Sequence, residues 1–298
     1  MAPSPETLSG SIAKPAALAL TMVLLAACSS TKMAYRYADW GIVWWVEDYV
    51  SLNDAQKQAL NSDIEALRQW HCSTELPRYR HWLQALQSDI AARELDRQNI
   101  ASHQEQLISF VPSLLDRATP LAVNLLSSLD DNQIQELSEN MIESQQDLEE
   151  EFLRETPERT AEARAERTRE RAERWLGPLN QRQIEIIAQW SEDRTNQTKI
   201  WLEGRRLWQV ALLEALNRRS EPGFEKAITG LIQQSETYRG QRYQQMMTTS
   251  RLAMSDLMHK VIAAANTQQL AELEDRARAL EQDFEALTCA SAPEIAGS

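Results

Sequence analysis

The stretch LDDNQIQEL at residues 129–137 shows how helices begin in this chain. Asp130 is suited to cap a helix N-terminus, and Gln133, three residues on, completes a capping box by bonding back to the backbone. The pattern returns at Leu52-Asn53-x-x-Gln56, Leu179-Asn180-x-x-Gln183 and Ala265-Asn266-x-x-Gln269. Because the intervals between the four starts are unequal, they predict separate helices of one bundle and not a regular repeat.

The composition around these starts also favours helices. Ala, Leu, Gln, Glu and Arg dominate, and only 8 of the 298 residues are Gly. The dominant side chains lose little rotamer freedom in a helix. We therefore predict an all-α fold, an irregular bundle of long amphipathic helices with no β-sheet. The predicted helices span residues 35–50, 53–70, 75–93, 97–117, 131–155, 157–176, 181–219, 222–264 and 267–287.

Residues 158–175 differ from the other predicted helices, because Arg and Glu alternate there with hardly any apolar residue except Ala. Such a helix is held by ion pairs three or four residues apart and has little apolar surface to bury. We predict a charged connector helix over 156–178, exposed or bridging an N-terminal helical half (35–155) and a C-terminal helical half (179–289). Residues 290–298 are predicted to form a flexible tail.

The N-terminal segment has the features of a signal peptide. An apolar run from Pro15 to Ala27 follows Lys14 and is too short to span a bilayer as a helix. It ends in Leu25-Ala26-Ala27-Cys28, which resembles the lipobox of bacterial lipoproteins. The resemblance implies cleavage between Ala27 and Cys28 and three acyl chains on Cys28, enough for stable anchoring. The alternative is an ordinary secretory signal with a coincidental Cys.

The location expected for the chain follows from this anchor. We predict a signal peptide over residues 1–27 and a lipidated tether over residues 28–34. In the sorting rule of bacterial lipoproteins, Asp after the lipidated Cys favours retention in the inner membrane, so Ser29 implies the outer membrane. The mature chain is expected to face the periplasm, attached to the lipid bilayer through acylated Cys28.

Two further cysteines, Cys72 and Cys289, remain after Cys28. Because the periplasm is oxidising, such a pair favours a disulfide between an early and a late helical segment. The alternative is two unrelated buried thiols. No Cys-x-x-Cys motif is present, which argues against thiol catalysis.

An aromatic segment runs from Tyr35 to Val50. Tyr37, Trp40 and Trp44 are spaced to share one helical face. Two interpretations are open. The face packs into the domain core, or it lies at the membrane interface, where amphipathic rings favour the headgroup level. We expect the core, because the acidic residues Asp39, Glu47 and Asp48 disfavour immersion in anionic lipid.

Charge and motifs exclude several functional classes. The net charge of −13 argues against nucleic acid as a partner, and the Glu residues of the charged helix argue against a basic arm. No phosphate loop, His-Glu-x-x-His or Gly-x-Ser-x-Gly motif occurs. His71 and Glu75, four residues apart, are the candidates for an acid–base or metal site, but sequence supplies no third ligand. We expect a hydrogen-bonded interhelical His71, no catalytic residue, no metal and no cofactor.

Several motifs together resemble an uncharacterised family of Gram-negative helical lipoproteins, domain-of-unknown-function family 6279. They are the lipobox, Tyr35-x-x-x-Asp39-Trp40, Trp44, Asp48-Tyr49, Leu52-x-x-x-Gln56, Trp70-His71, Glu75-Leu76-Pro77-x-Tyr79, the stretch from Glu158-Arg159 to Trp175-Leu176, and Leu179-x-x-x-Gln183. The family pattern has a basic residue after Trp-His, where this chain has Cys72. The resemblance implies a class and a location but no activity.

We therefore expect a protein that is not an enzyme, a binding module that holds a periplasmic or envelope protein during envelope assembly or maintenance. A different class is a chaperone for many unfolded clients, because Leu-x-x-x-Gln resembles the Leu-Thr-x-x-Gln signature of Spy-type periplasmic chaperones. Helix capping explains the same pattern without that activity. An enzyme built around His71 and Glu75 is the third hypothesis.

Overall fold

A computed structural model describes residues 30–194 and 196–289. Helices are the only regular elements in those ranges, and no strand occurs there, which confirms the all-α prediction. Among the described residues, no helix is long and apolar enough to cross a bilayer. The predicted signal peptide, Ala27, Cys28 and the tail 290–298 lie outside the described residues.

The described ranges hold thirteen α-helices and one π-helical turn. In chain order they are α1 Ser30–Arg36, α2 Ala38–Glu47, α3 Asp54–Trp70, the π-turn His71–Glu75, α4 Leu76–Ala92, α5 Arg97–Ser127, α6 Asp131–Leu153, α7 Pro157–Leu176, α8 Gln181–Glu192, α9 Gln197–Leu216, α10 Phe224–Gln233, α11 Ser235–Tyr238, α12 Gln241–Ala263 and α13 Thr267–Leu287.

The chain forms two compact units, the first ending at Ala38 and the second beginning at Asp39. Helix α1 belongs to the first unit. In the second unit, the predicted halves 35–155 and 179–289 do not have separate cores. Helix α4 of the first half lies along α13 of the second half, and α6 lies against α9. The hydrophobic faces on the two sides of the connector bury one another, so the division at 156–178 does not separate domains.

Two hydrophobic cores hold the second unit together. The first joins α3, α6, α9 and α10 and includes Leu60, Leu137, Leu216 and Ile228, each almost inaccessible to water. The second joins α4, α7, α8, α12 and α13 through Ile90, Leu176, Ile187, Leu257, Val261 and Leu273. Helices from both sides of the connector contribute to each core.

The four predicted capping boxes are all present. Asn53, Asp130, Asn180 and Asn266 each accept the backbone N–H of the Gln three residues on, and each Gln side chain accepts the backbone N–H of the capping residue. The start of each helix is therefore fixed by local sequence, because two of its free N–H groups are satisfied there.

Helix α7, the predicted charged connector, makes the ion pairs expected from its sequence, including Arg169 with Glu166 and Glu173. It is not a free-standing bridge, however. Ala161 and Leu176 are buried, and the helix packs against α8 and α13. The small Ala side chains of α7 allow the neighbouring helices to approach it closely. The sequence pattern did not indicate this packing because charged residues dominate the helix.

Several predicted helix boundaries were wrong. Helix α5 continues to Ser127 through Pro112 and Pro120, although each proline lacks a backbone N–H. Its packing against α3, α10 and α12 outweighs that cost. The predicted gap between residues 70 and 75 is instead the π-turn, which makes residues 54–92 continuous.

The predicted helices 181–219 and 222–264 are interrupted. Helix α8 ends at Glu192 and α9 begins at Gln197. The second segment is divided into α10, α11 and α12. Gly240, with φ 92°, precedes α12 and adopts a conformation that other residues rarely reach.

Candidate functional sites

The π-turn carries a covalent link to the C-terminal end of the described chain. Cys72 is bonded to Cys289 with Cα atoms 5.2 Å apart, the pair that the cysteine count favoured. The backbone N–H of Cys289 also donates to the carbonyl of Cys72 at 3.2 Å. Cys72 is fully buried. The link therefore fixes the segment after α13 beside the junction of α3 and α4.

Tyr79 is the centre of an aromatic cluster next to this link. Its ring lies 5.5 Å from His71, 4.6 Å from Phe110 and 6.0 Å from Phe284, measured between centroids. These partners come from the π-turn, α5 and α13. Burial and the nearby Glu75 raise the pKa of Tyr79, and Arg78 opposes them. The family motif residues thus form a packing junction between three segments.

Glu75 and Arg78 form an ion pair beneath the cluster. The Glu75 side chain is 1% exposed, and both its oxygens accept from Nη1 of Arg78, at 2.7 and 2.9 Å. Burial lowers the pKa of His71, although Glu75 opposes the shift. No group of three or more His, Cys, Asp or Glu in the described part of the chain could hold a metal. The Glu75 carboxylate is therefore already paired with the Arg78 guanidinium.

A groove of about 580 Å³ lies between α4 and α5. Its polar wall includes His81 and His103, and Nε2 of His103 lies 2.9 Å from Oδ2 of Asp89. The indole Nε1 of Trp82 is buried and has no hydrogen-bond partner in the described part of the chain. The groove is also lined by Arg78. The sequence pattern did not reveal it because its lining comes from two separate helices.

Helix α2 contradicts the expectation that its aromatic face packs into the core. Trp40, Trp44 and Trp45 are 69%, 58% and 60% exposed, and Trp40 stacks on Trp44 with ring centroids 6.4 Å apart. Val43 and Val46 pack against the first core instead. The core face of α2 is therefore its aliphatic side, which the aromatic spacing had obscured. Tyr35 lies in the first unit and Asp39 at the start of the second.

Helices α5 and α12 expose aliphatic side chains on neighbouring surfaces. Leu107, Ile108 and Val111 of α5 are 43%, 39% and 49% exposed, and Leu252 of α12 is 71% exposed. One turn before Leu107, Nε2 of Gln104 donates to the carbonyl of Arg251 at 2.9 Å. We call these four residues the aliphatic face. Its parts are distant in sequence, so sequence analysis did not find it.

Arg194 is buried beside the second core, and Arg164 is partly buried. Arg194 is 7% exposed and lies with Cζ 4.4 Å from the Trp190 ring centroid. Arg164 donates to the carbonyl of Ser191 at 2.9 Å. Burial lowers the pKa of both guanidinium groups, which remain charged. Arg164 joins α7 to the end of α8, whereas Arg194 folds back on Trp190 of α8.

The model of a family of unknown function (DUF6279) matches residues 48–244. This chain belongs to that family. The matched range contains the Trp70–Tyr79 motif and three of the capping boxes, but it excludes Trp40, Trp44 and Cys289. The disulfide thus joins the family region to a segment beyond it. No curated protein and no solved structure matches the chain at a significant level.

Proposed function

We propose that this chain is a periplasmic lipoprotein, anchored to the outer membrane through acylated Cys28, that binds a protein partner and catalyses no reaction. The lipobox before Cys28 supports the anchor. The disulfide between Cys72 and Cys289 supports an oxidising compartment, because such bonds are rare in reducing ones.

The aliphatic face is the observation that carries the binding role. Exposed apolar side chains that are grouped on one surface are typical of protein-interaction sites. In the free protein, each of these side chains remains in contact with water. Leu107, Ile108, Val111 and Leu252 are exposed, and the hydrogen bond from Gln104 to Arg251 brings α12 beside α5 at this point. A partner that covers them gains free energy roughly in proportion to the apolar area removed from water.

The test is quantitative co-purification of the tagged, lipidated chain from detergent-solubilised envelopes, comparing wild type with Ile108→Glu. The matched control is Leu153→Glu, because Leu153 is 49% exposed on α6, outside the aliphatic face. We expect one partner near equal stoichiometry, lost from Ile108→Glu and retained by Leu153→Glu. Equal recovery from both variants, or no enriched partner, would refute the assignment.

The chaperone hypothesis makes a different prediction in the same experiment. A chaperone would retain many aggregation-prone proteins below equal stoichiometry, and the purified chain would suppress aggregation of an unfolded client at equal molar ratio. The aliphatic face is also the observation that favours this activity. The capping boxes account for the Leu-x-x-x-Gln pattern, so that pattern gives the chaperone no additional support.

A further inference from the structure

Helix α2 presents an aromatic surface that the domain does not cover. We call Trp40, Trp44 and Trp45 the tryptophan face. The opposite side of α2, with Val43 and Val46, packs against the first core. The rings are therefore held outward by the domain. The three indoles expose a large apolar area to water, and this area contributes no hydrophobic stabilisation within the domain.

Gly41 lies on the same side of the helix, between the directions of Trp44 and Trp45. Among the residues that the structure describes, no atom would lie within 4 Å of a Cβ atom at Gly41. Glycine in a helix interior costs about 1 kcal/mol relative to Ala, and no neighbour in the domain requires it here. The gap leaves room for an external group to approach the backbone between the rings.

The charges around the tryptophan face select its occupant. Glu47 is paired with Lys57 at 2.6 Å, and the whole chain carries a net charge of −13. A chain of this net charge is repelled by anionic lipid. Tryptophan rings favour the headgroup level of a bilayer, where one edge is apolar and the other hydrated. The face therefore fits the surface of a zwitterionic bilayer.

The chain also brings this face close to the proposed anchor. Trp40 lies twelve residues after Cys28, a separation of about 40 Å at most when fully extended. Acylated Cys28 would keep the face at high effective concentration beside the membrane. We propose that the tryptophan face binds the bilayer surface and so fixes the orientation of the domain on the membrane. This inference rests on the anchor given under the proposed function.

The experiment measures tryptophan fluorescence of the full-length lipidated protein in phosphatidylcholine vesicles, with and without brominated acyl chains that quench indoles on contact. The test variant is Trp40→Phe/Trp44→Phe/Trp45→Phe, which keeps the face apolar. The matched control is Trp175→Phe, since Trp175 is 37% exposed on α7. We expect bromine to quench wild type and Trp175→Phe alike and to leave the triple variant almost unquenched.

Two outcomes would contradict the proposed contact between the tryptophan face and the bilayer. They are equal quenching of wild type and the triple variant, and no quenching of either. The mass of the mature N-terminus in the same sample reports the acyl chains independently. An unacylated chain whose tryptophans are not quenched would refute both the lipid anchor and the bilayer contact of the tryptophan face. An acylated chain whose tryptophans are not quenched would refute the bilayer contact alone.

Discussion

The side-chain amides of Gln56 and Gln133 exchange hydrogen bonds. Nε2 of Gln56 lies 3.0 Å from Oε1 of Gln133, and Nε2 of Gln133 lies 2.8 Å from Oε1 of Gln56. Gln56 also donates to the carbonyl of Ser128, and Gln133 to the carbonyl of Ser51. Each glutamine thus completes its own capping box and binds the residue two positions before the other box. Two helix starts are locked together by one reciprocal contact.

Replacing Gln56 by Ala should lower the free energy of unfolding by about 2–3 kcal/mol, because the Ser128 carbonyl and the Gln133 amide lose their partner. Gln135→Ala is the control, since Gln135 is exposed and its amide reaches only Glu139, one turn away. Urea unfolding of both variants measures the difference. Equal losses would show that the reciprocal contact contributes little.

A second pair of boxes meets in the other core. Nε2 of Gln269 donates to Oε1 of Gln183 at 2.9 Å and to the carbonyl of Pro178 at 2.8 Å. Both glutamines are buried. Each core of the second unit is therefore accompanied by one interlocked pair of helix starts. The Asn/Asp-x-x-Gln capping box acts here as a junction between helices, and its four copies meet as two pairs.

The sequence predicted the local half of this arrangement. A capping box involves residues three apart, so the starts at Asn53, Asp130, Asn180 and Asn266 were correct. Which boxes meet depends on contacts about eighty residues apart, and no periodicity encodes them. The predicted end of α5 was wrong for the same reason. Pro112 and Pro120 weaken a helix locally, but distant packing maintains α5 through both.

The candidate sites show the same limit. The cysteine count predicted the pair that the structure shows, because only Cys72 and Cys289 remain once Cys28 is assigned to the predicted lipobox. The side of α2 that meets the core was not predictable, because Trp40 and Val43 are both apolar and the hydrophobic pattern does not rank them. The aliphatic face and the groove join separate helices, so they exist only in the folded chain.

Removal of the disulfide should destabilise the domain strongly. The bond closes a sequence separation of 217 residues, and the chain-entropy model assigns about 5 kcal/mol to a loop of that length, as an upper figure. Urea unfolding with and without reductant measures the loss, and Cys72→Ala/Cys289→Ala should match the reduced protein. Reductant should then have no effect on the double variant; a further loss there would mean that it acts elsewhere.

Gly204 and Gly41 should respond oppositely to alanine. A Cβ at Gly204, on α9, would lie 2.6 Å from Cδ2 of Tyr243 on α12, so Gly204→Ala should cost about 1–3 kcal/mol through overpacking. Gly41→Ala has open space and should increase stability by up to about 1 kcal/mol. Thermal unfolding in the absence of vesicles compares them. A destabilising Gly41→Ala would reveal a contact that the free domain is not expected to make.

His71 should make stability depend on pH. Burial places its pKa below the ordinary value of 6.5, so the unfolded chain binds this proton more readily than the folded chain. The free energy of unfolding should therefore fall as the pH drops below 6.5. His71→Gln removes the titration and should flatten the decline between about pH 7 and 5, while His81→Gln, at an exposed position, should follow wild type. Parallel curves for all three proteins would exclude His71 as the cause.

A His71→Gln protein with unchanged stability at every pH but lost cellular function would instead favour the enzyme hypothesis, because a packing role predicts that stability changes first.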